Sequence, residues 1–273
     1  MLECVVNVSE GRAGTAINAL VDAAGDELLD LHVDPHHHRS VLTVLGEDAV
    51  RRVAAVAIAV IDLRRHTGAH PRLGAVDVVP FVALDEPASA AGAAADRYGR
   101  WSATVLRVPT FRYGAGHPDL PSVRRGAFRS LQPSSGPTGP HPTAGASAVG
   151  ARPLLVAYNV WLAESDVDLA RQIARAVRGP SVRALGLLVG RRVQVSMNLL
   201  QPSVVGPADA YDAVAEAART VGGRAAGAEL VGLLPAAVLA AAPERRWGEL
   251  DLDADRTIEA RLAARLSRGP RPR

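Results

Sequence analysis

The fold of the first half of the chain is decided by the stretch RHTGAHPRLGAVDVVPF, residues 65–81. Residues 48–63, just before it, show a helical pattern rich in Val and Ala, which breaks at Gly68 and Pro71. Residues 75–84, at its end, form an apolar, β-branched run that is typical of a buried strand. The stretch therefore predicts a helix, a turn and a strand in succession.

The predicted turn carries His66 and His70, with Arg64, Arg65 and Arg72 on or beside it. A loop held between two packed elements can fix a proton-transfer group in place, and imidazole titrates near neutral pH. The same residues also fit a solvated turn with ordinary histidines. Spacing alone leaves both interpretations open.

Composition narrows the class of protein. The 273 residues are 48% hydrophobic, enough for a full core and for about two domains. No apolar run approaches the ~18 residues that span a bilayer, and Glu3 stands where a secretory signal would be basic, so we expect a cytoplasmic protein without a membrane partner. A single cysteine, Cys4, excludes an intrachain disulfide and a cysteine-based zinc cluster.

All 31 basic residues are arginine. The lack of lysine excludes a Schiff-base lysine and a P-loop lysine. A net charge of +3 and an aromatic content of 4% argue against a nucleic-acid partner. Arginine binds carboxylates in a bidentate manner, which favours an acidic small molecule as the partner.

Both halves of the chain show the order β-α-β-β-α-β, which predicts an α+β fold of two ferredoxin-like subdomains. In the first half we predict strands at 2–8, 28–33, 40–46, 75–84 and 104–108, and helices at 13–24, 47–65 and 87–98. In the second half we predict strands at 153–162, 182–190, 192–199 and 225–231, and helices at 166–178, 207–222 and 235–241. The predicted domains are 1–151 and 152–250, followed at 251–273 by a charged C-terminal helix and a tail. The sequence pattern predicts the helix at 250–268 and the tail at 269–273.

A non-repetitive tract, residues 109–151, separates the halves. Its core is rich in Gly, Pro, Ser and Thr, a composition that disfavours a helix or a central strand. One interpretation is a flexible linker. The other is a rigid, proline-locked loop that crosses a cleft between the two halves.

The histidines offer a possible metal site, because His32 with His36 and His66 with His70 have four-residue spacing. On one helix such a pair would share a face, as in zinc peptidases. Pro35 interrupts the first pair, a glycine interrupts the second, and no Glu follows His66. We therefore expect no metal, with a metal-dependent hydrolase that uses the histidines of residues 32–38 as the alternative.

Four motifs resemble the formiminotransferase domain family, folate enzymes of histidine degradation. They are CVVNVSEG (4–11), the segment 68–81, the segment 145–159 that ends in Asn159, and QVSMNL (194–199). The resemblance spans roughly residues 2–240 in order. It implies two ferredoxin-like subdomains, a homodimer, and tetrahydrofolate held in a ligand cleft between the subdomains.

The same resemblance places the catalytic histidine of the family on His70 and implies no metal. The folate-binding loop falls on ten residues: Gly136, Pro137, Thr138, Gly139, Pro140, His141, Pro142, Thr143, Ala144 and Gly145. Asn7, Arg39 and Arg72 occupy motif positions, and we expect them to bind the substrate. The two arginines would bind its carboxylates.

The implied reaction transfers the formimino group of N-formimino-L-glutamate to N5 of tetrahydrofolate, giving 5-formiminotetrahydrofolate and L-glutamate. One imidazole can take the proton from N5 and deliver it to the departing glutamate nitrogen, a transfer that contributes about 10²–10⁴-fold. The cyclodeaminase part found fused in animal enzymes has no counterpart here, so we expect a separate cyclodeaminase to act on the product.

The chain departs from the family pattern at His32, which replaces an acid, and at His38, which replaces an Asn. The folate loop also differs, at Thr138, Gly139 and His141. A related formimino or formyl donor is therefore an alternative substrate. A metal-dependent formimino or amide hydrolase and a non-catalytic folate-binding protein are the alternative functions.

Overall fold

The computed structural model describes residues 1–68 and 71–268. The chain divides into two compact units, the first ending at Pro153 and the second beginning at Leu154. Each unit has its own hydrophobic core. Within the described ranges, no helix combines the length and the apolar composition that crossing a membrane requires.

The first unit is a six-stranded sheet in the order β2-β3-β1-β4-β6-β5. Its strands are β1 (Leu2–Val8), β2 (Leu28–Asp34), β3 (Arg39–Leu45), β4 (Val76–Ala83), β5 (Thr110–Gly114) and β6 (Ser147–Ala151). Its helices are α1 (Gly14–Ala24), α2 (Glu47–Val60), α3 (Ala88–Trp101) and α4 (Leu120–Gly126). Strands β1 to β4 pair antiparallel in the ferredoxin-like order, and β6 adds in parallel to β4 and β5. The predicted fold class is confirmed for this unit.

The side chains of β1 point alternately to the two faces of this sheet, and only one of these faces packs against α1 and α2. Cys4, Val6 and Val8 are fully buried in the core that α1 and α2 also line. Because successive side chains of a strand point to opposite faces, Asn7 lies on the face away from these helices. The polar groups of the candidate site gather on that second face.

Two predicted elements of the first unit were wrong in detail. The strand expected at 104–108 is a wide helical turn, Ser102–Leu106, in which the Thr104 hydroxyl donates to the Arg100 carbonyl and Val105 is 61% exposed. The strand follows instead as β5. The helix expected at 47–65 ends at Val60, where Ile61 turns extended and buried; a short 3₁₀ turn, Leu63–Arg65, completes the segment.

Outside its Gly/Pro core, the tract 109–151 contains β5, α4 and β6, three elements that the sequence analysis did not predict. Asp119 caps α4 by accepting from the Ser122 amide at 2.9 Å. In β6 a small residue is needed, because a Cβ at Gly150 would lie 2.5 Å from the Tyr113 carbonyl oxygen. Close approach of two parallel strands, which composition does not reveal, explains why a Gly-containing segment is a strand.

The second unit is a four-stranded antiparallel sheet in the ferredoxin-like order β10-β7-β9-β8, which confirms the predicted fold class again. Its strands are β7 (Val156–Leu162), β8 (Val182–Val189), β9 (Arg192–Leu199) and β10 (Ala225–Val231), and its helices are α5 (Val167–Ala176), α6 (Pro207–Thr220), α7 (Ala236–Ala241) and α8 (Ile258–Arg268). The charged helix expected from 250 begins only at Ile258. Leu250 is instead buried in the core, where its carbonyl accepts from the Tyr158 hydroxyl at 2.8 Å.

Candidate active site

A buried carboxylate, Asp77 on β4, organises the second face of the first unit. Its side chain is 0% exposed and accepts from Arg39 and Arg124, each at 2.6 Å, and from the Leu73 amide at 2.6 Å. Burial alone would raise the pKa of Asp77, but the charges of the two arginines and the amide hydrogen bond outweigh it and lower the pKa below its ordinary value. We call Asp77, Arg39 and Arg124 the Asp77 cluster.

Two of the residues predicted to bind substrate, Arg39 and Asn7, contact each other beside this cluster. The Arg39 guanidinium donates to the Asn7 side-chain oxygen at 2.7 and 3.1 Å, and the Asn7 amide donates to the Val5 carbonyl at 2.8 Å. Burial lowers the pKa of Arg39, and the Asp77 charge opposes that shift. Asn7 and Asp77 therefore fix the direction of the Arg39 guanidinium.

The third of these residues, Arg72, closes the turn that follows α2. Its guanidinium contacts the His66 Nδ1 and the Gly68 carbonyl. Burial, together with the charges of Arg72 and His38, lowers the pKa of His66 to about 4, so His66 is neutral at neutral pH. Since Arg72 donates to Nδ1, the proton of His66 lies on Nε2, which donates to the His38 carbonyl at 3.2 Å. Both ring nitrogens of His66 are engaged.

His38 and His66 form a stacked pair, with ring centroids 3.9 Å apart and planes 12° from parallel. His38 has a positive φ of 53°, a conformation that Asn and His adopt more readily than most residues. Its Nε2 lies 2.9 Å from the Glu10 carboxylate and its Nδ1 lies 3.1 Å from the Thr67 carbonyl. His38, just before β3, thus ties the start of this strand to the turn.

Glu10 fixes the segment between β1 and α1. One of its carboxylate oxygens accepts from the amides of Gly11, Arg12 and Ala13 as well as from His38. Burial alone would raise its pKa, but these amides and His38 lower it below its ordinary value. These hydrogen bonds fix the segment 9–11, which follows β1 and contacts the stacked histidines through Glu10.

The second half of the loop 136–145 is fastened to the same turn. The Thr143 carbonyl accepts from the Leu63 amide at 2.8 Å, and the Ala144 carbonyl accepts from the Ala75 amide at 2.9 Å. Gly145 forms an isolated bridge with Gly74. His141 closes the loop on itself, since its Nδ1 accepts from the Ala144 amide at 3.1 Å. This half of the loop is a fixed wall, while residues 138–140 are exposed.

The predicted catalytic residue, His70, lies outside the described residues. Its neighbours Gly68 and Pro71 are described, and the Gly68 carbonyl accepts from Arg72. Arg124, on α4, donates to the Pro71 carbonyl at 2.6 Å.

Asp34 holds the loop between β2 and β3, which contains His36 and His37. Asp34 accepts from the His36 and His37 amides and from the His37 ring, and although burial opposes it, these contacts lower the pKa of Asp34 to about 2. Within residues 1–68 and 71–268, no group of three or more His, Cys, Asp or Glu side chains has the arrangement to hold a metal ion.

Sequence reasoning missed three residues of this site: Glu10, Asp77 and Arg124. A signal existed for Asp77, because a lone acid inside the apolar run VDVVPF needs a buried partner. Nothing in the sequence marks Arg124, which lies 47 residues from Asp77 in a helix that composition did not predict.

Comparisons with known proteins show the family to which the chain is similar. Residues 1–152 match the family model described as formiminotransferase domain, N-terminal subdomain, and residues 157–247 match the model described as formiminotransferase domain.

Among individual proteins, the chain is 35% identical to the glutamate formimidoyltransferase of Streptococcus pyogenes serotype M1, over 88% of this chain and 90% of that protein. It is 34% identical to the glutamate formimidoyltransferase of Thermoplasma acidophilum, over 86% of this chain and 88% of that protein. The formimidoyltransferase-cyclodeaminase of Sus scrofa is 34% identical over 86% of this chain, which spans only 50% of that longer protein.

Proposed function

The chain belongs to the formiminotransferase family, a family of transferases, and on this premise we propose that it transfers the formimino group of N-formimino-L-glutamate to N5 of tetrahydrofolate. The products are L-glutamate and 5-formiminotetrahydrofolate. One structural observation carries the proposal: the second half of the loop 136–145 is fastened through backbone hydrogen bonds to Leu63 and Ala75. Two segments held in a fixed relation to each other suit group transfer between two bound molecules.

The charge of the site supports an anionic substrate. The Asp77 cluster carries two positive charges and one negative charge in contact, and Arg72 adds a further positive charge on the turn. Arginine matches carboxylates through two parallel hydrogen bonds. We assign Arg39 and Arg72 to the carboxylates of formiminoglutamate, and Asn7 to fixing the Arg39 guanidinium.

A proton must leave the attacking nitrogen and reach the glutamate nitrogen. His66 is poorly suited to this role, because its two ring nitrogens bind Arg72 and the His38 carbonyl and its pKa of about 4 makes it a weak base. We therefore assign the transfer to His70, the other histidine of the turn. In this assignment His66 holds the turn and His70 moves the proton.

The exposed part of the loop suits tetrahydrofolate. Thr138, Gly139 and Pro140 are exposed, and the space beside Gly139 that a side chain would take is open. Each of these residues keeps a backbone carbonyl, which can accept from the N–H groups of a pterin, and Pro140 has no amide hydrogen of its own. When bound, tetrahydrofolate supplies the amine nitrogen that receives the formimino group.

The test measures glutamate release from N-formimino-L-glutamate by the purified protein, with and without tetrahydrofolate and with and without a chelator. We expect release only with tetrahydrofolate, unchanged by the chelator. Release without tetrahydrofolate that the chelator abolishes would make the protein a metal-dependent hydrolase. Folate binding without release would make it a binding protein. N-formyl-L-glutamate, run in parallel, tests the alternative donor.

Two further parts of the proposal, a cytoplasmic location and a homodimer, have the family resemblance as their support. Light scattering on the eluted protein tests the second part, with twice the chain mass of 28.5 kDa as the expected result.

A further inference from the structure

Each of the two sheets has two edge strands, and three of these four edges are protected. An unpaired edge offers N–H and C=O groups to another chain, and proteins block it with charged side chains or covering segments. In the first unit, β2 contains two aspartates and a histidine, and the Thr110 amide and carbonyl of β5 bond to residues 134–135 at 2.9 and 2.8 Å. In the second unit, the Leu230 amide of β10 donates to the Asp251 carboxylate at 2.8 Å, and the Leu230 carbonyl accepts from Arg256.

The fourth edge, β8, lacks this protection. Its sequence, VRALGLLV (182–189), contains no proline and no acid, and its one charged side chain is Arg183. Leu185 is 57% exposed and Leu188 is 49% exposed, although both lie within a strand of a folded unit. A long apolar edge strand with exposed leucines is suited to pairing with a strand of another chain.

Two contacts show which backbone groups of β8 point away from β9. The Ser181 carbonyl accepts from the amide of Leu200, just after β9, at 2.8 Å, and the Arg178 Nε donates to the Ala184 carbonyl at 2.8 Å. In an antiparallel ladder the N–H and C=O of one residue point to the same side, and the side alternates from residue to residue. The odd-numbered residues of β8 therefore bond to β9, and the even-numbered residues face outward.

The outward backbone groups in the second half of β8 are available for pairing. Within residues 1–68 and 71–268, nothing hydrogen-bonds to the outward N–H or C=O of Gly186 or Leu188. The Ala184 carbonyl accepts from Arg178, but a carbonyl oxygen has a second lone pair for another donor. The free edge thus runs from Ala184 to Leu188.

We propose that β8 pairs antiparallel with β8 of a second copy of this chain, across a two-fold axis beside Gly186, so that two four-stranded sheets become one continuous sheet. The inference supplies an interface for the proposed homodimer and does not depend on the proposed reaction. In this register Gly186 bonds to Gly186 of the second copy, and Ala184 bonds to Leu188 of the second copy, which makes about six hydrogen bonds. Because the two-fold axis pairs the edge with itself, the assembly closes as a dimer.

The side chains of β8 fit this register. Leu185 lies opposite Leu187 of the second copy, so the pairing covers apolar surface that is otherwise exposed. Arg183 lies opposite Val189 of the second copy. No two like charges of β8 therefore face each other across the new ladder.

Helix α5 adds charge complementarity. It lies close to β8, since a Cβ at Gly186 would be 2.3 Å from the Ala170 carbonyl carbon. A two-fold axis perpendicular to the sheet puts both copies of α5 on one face, running in opposite directions. Asp166 and Asp168 lie at the start of α5 and Arg175 lies in its last turn, so the acidic start of one copy is nearest to the basic end of the other.

The experiment measures mass by light scattering for wild type and three variants of the full chain, all at one concentration. We expect wild type at twice the chain mass of 28.5 kDa. Leu185→Glu with Leu187→Glu places carboxylates opposite each other at two positions, and we expect a monomer. Leu185→Glu with Leu187→Arg pairs opposite charges at the same positions, and we expect a dimer. Val105→Glu, at an exposed position of the first unit, is the control and should stay a dimer.

Hydrogen exchange tests the strand pairing itself. The Gly186 and Leu188 amides should exchange at least about 10-fold more slowly in wild type than in the Leu185→Glu, Leu187→Glu variant. Amides of β7, inside the same sheet, should be protected equally in both, which shows that the variant is folded.

A dimeric Leu185→Glu, Leu187→Glu variant, or a folded but monomeric Leu185→Glu, Leu187→Arg variant, overturns the inference. Fast exchange at Gly186 and Leu188 in dimeric wild type overturns it as well, whatever the stability of the variants. A monomeric wild type refutes the homodimer together with this interface. A failure to release glutamate would refute the proposed reaction and leave the masses and exchange rates to decide the interface.

Discussion

The two units of the chain share one strand order but differ in what they bury. In the first unit, two carboxyl groups are nearly inaccessible: Asp77, whose pKa its arginines lower, and Glu3, whose pKa burial raises. Among residues 154–268 of the second unit, the buried polar side chains are uncharged, namely Asn159, Gln194 and Thr257. The same fold therefore buries carboxyl groups in one unit and, among the described residues, only uncharged polar side chains in the other.

In each sheet, the face that the helices cover forms the hydrophobic core and so determines the fold. The side chains that differ chemically between the two units lie elsewhere. The helix-covered faces are apolar in both units, with Val6 and Val8 in one and Val193 and Val195 in the other. A shared fold thus gives no reason to expect a shared activity. The residues proposed to bind and fix the substrate, Asn7 and Arg39, lie on the other face of the first unit.

The largest difference in stability between the two units is expected from substitution of Asp77. Asp77→Asn leaves Arg39 and Arg124 without their shared carboxylate, so we expect the free energy of unfolding to fall by about 3–5 kcal/mol. Glu229→Gln makes the same change in the second unit, where Glu229 accepts from the Asn159 amide at 3.0 Å, and we expect about 1 kcal/mol or less. Urea unfolding measures both. Equal losses of unfolding free energy in the two variants would mean that the two units depend equally on these carboxylates for stability.

The second largest effect is expected from substitution of a glycine in the loop 136–145. Gly145 has a φ of +68°, and a Cβ there would lie 2.4 Å from the Leu73 carbonyl oxygen, so Gly145→Ala should cost about 2–3 kcal/mol. Gly139→Ala, in the open part of the same loop, should change stability by less than about 0.5 kcal/mol. If thermal unfolding shows the two variants alike, the loop is not fastened to the turn.

The smallest effect concerns pH. The imidazole of His66 has a pKa of about 4 instead of 6.5, so the unfolded chain takes up this proton first as the pH falls. Stability from this group is fully present above pH 6.5 and is lost towards pH 4. His66→Asn should flatten the dependence of the unfolding midpoint on pH in this window, whereas His36→Asn, at an exposed position, should leave it as in wild type. An unchanged slope in His66→Asn contradicts the assignment.

Much of the fold could be predicted because apolar periodicity in β1 and α2 matches their burial. The errors arose where tertiary contacts override local preference. Thr104 and Val105 are β-branched and favour a strand, but they continue a helix. Gly150 argues against a strand, yet its lack of a Cβ is what allows β6 to approach β5.

The candidate site could be predicted only in part. Arg39 and Arg72 lie in recognisable motifs, and the structure brings their segments to one face. The bond between Arg124 and Asp77 joins residues far apart in sequence, and its helix begins inside a tract whose core is Gly/Pro-rich. No local pattern encodes which arginine reaches a buried acid.

The central claim is that His70 moves the proton during formimino transfer. The most direct measurement is kcat of His70→Ala together with its affinity for tetrahydrofolate by calorimetry, with His117→Ala, at an exposed position outside the site, as the control. We expect kcat to fall by about 10²–10⁴-fold, with folate affinity within about threefold of wild type and the control unchanged. A His70→Ala variant that turns over at nearly the wild-type rate would contradict the account.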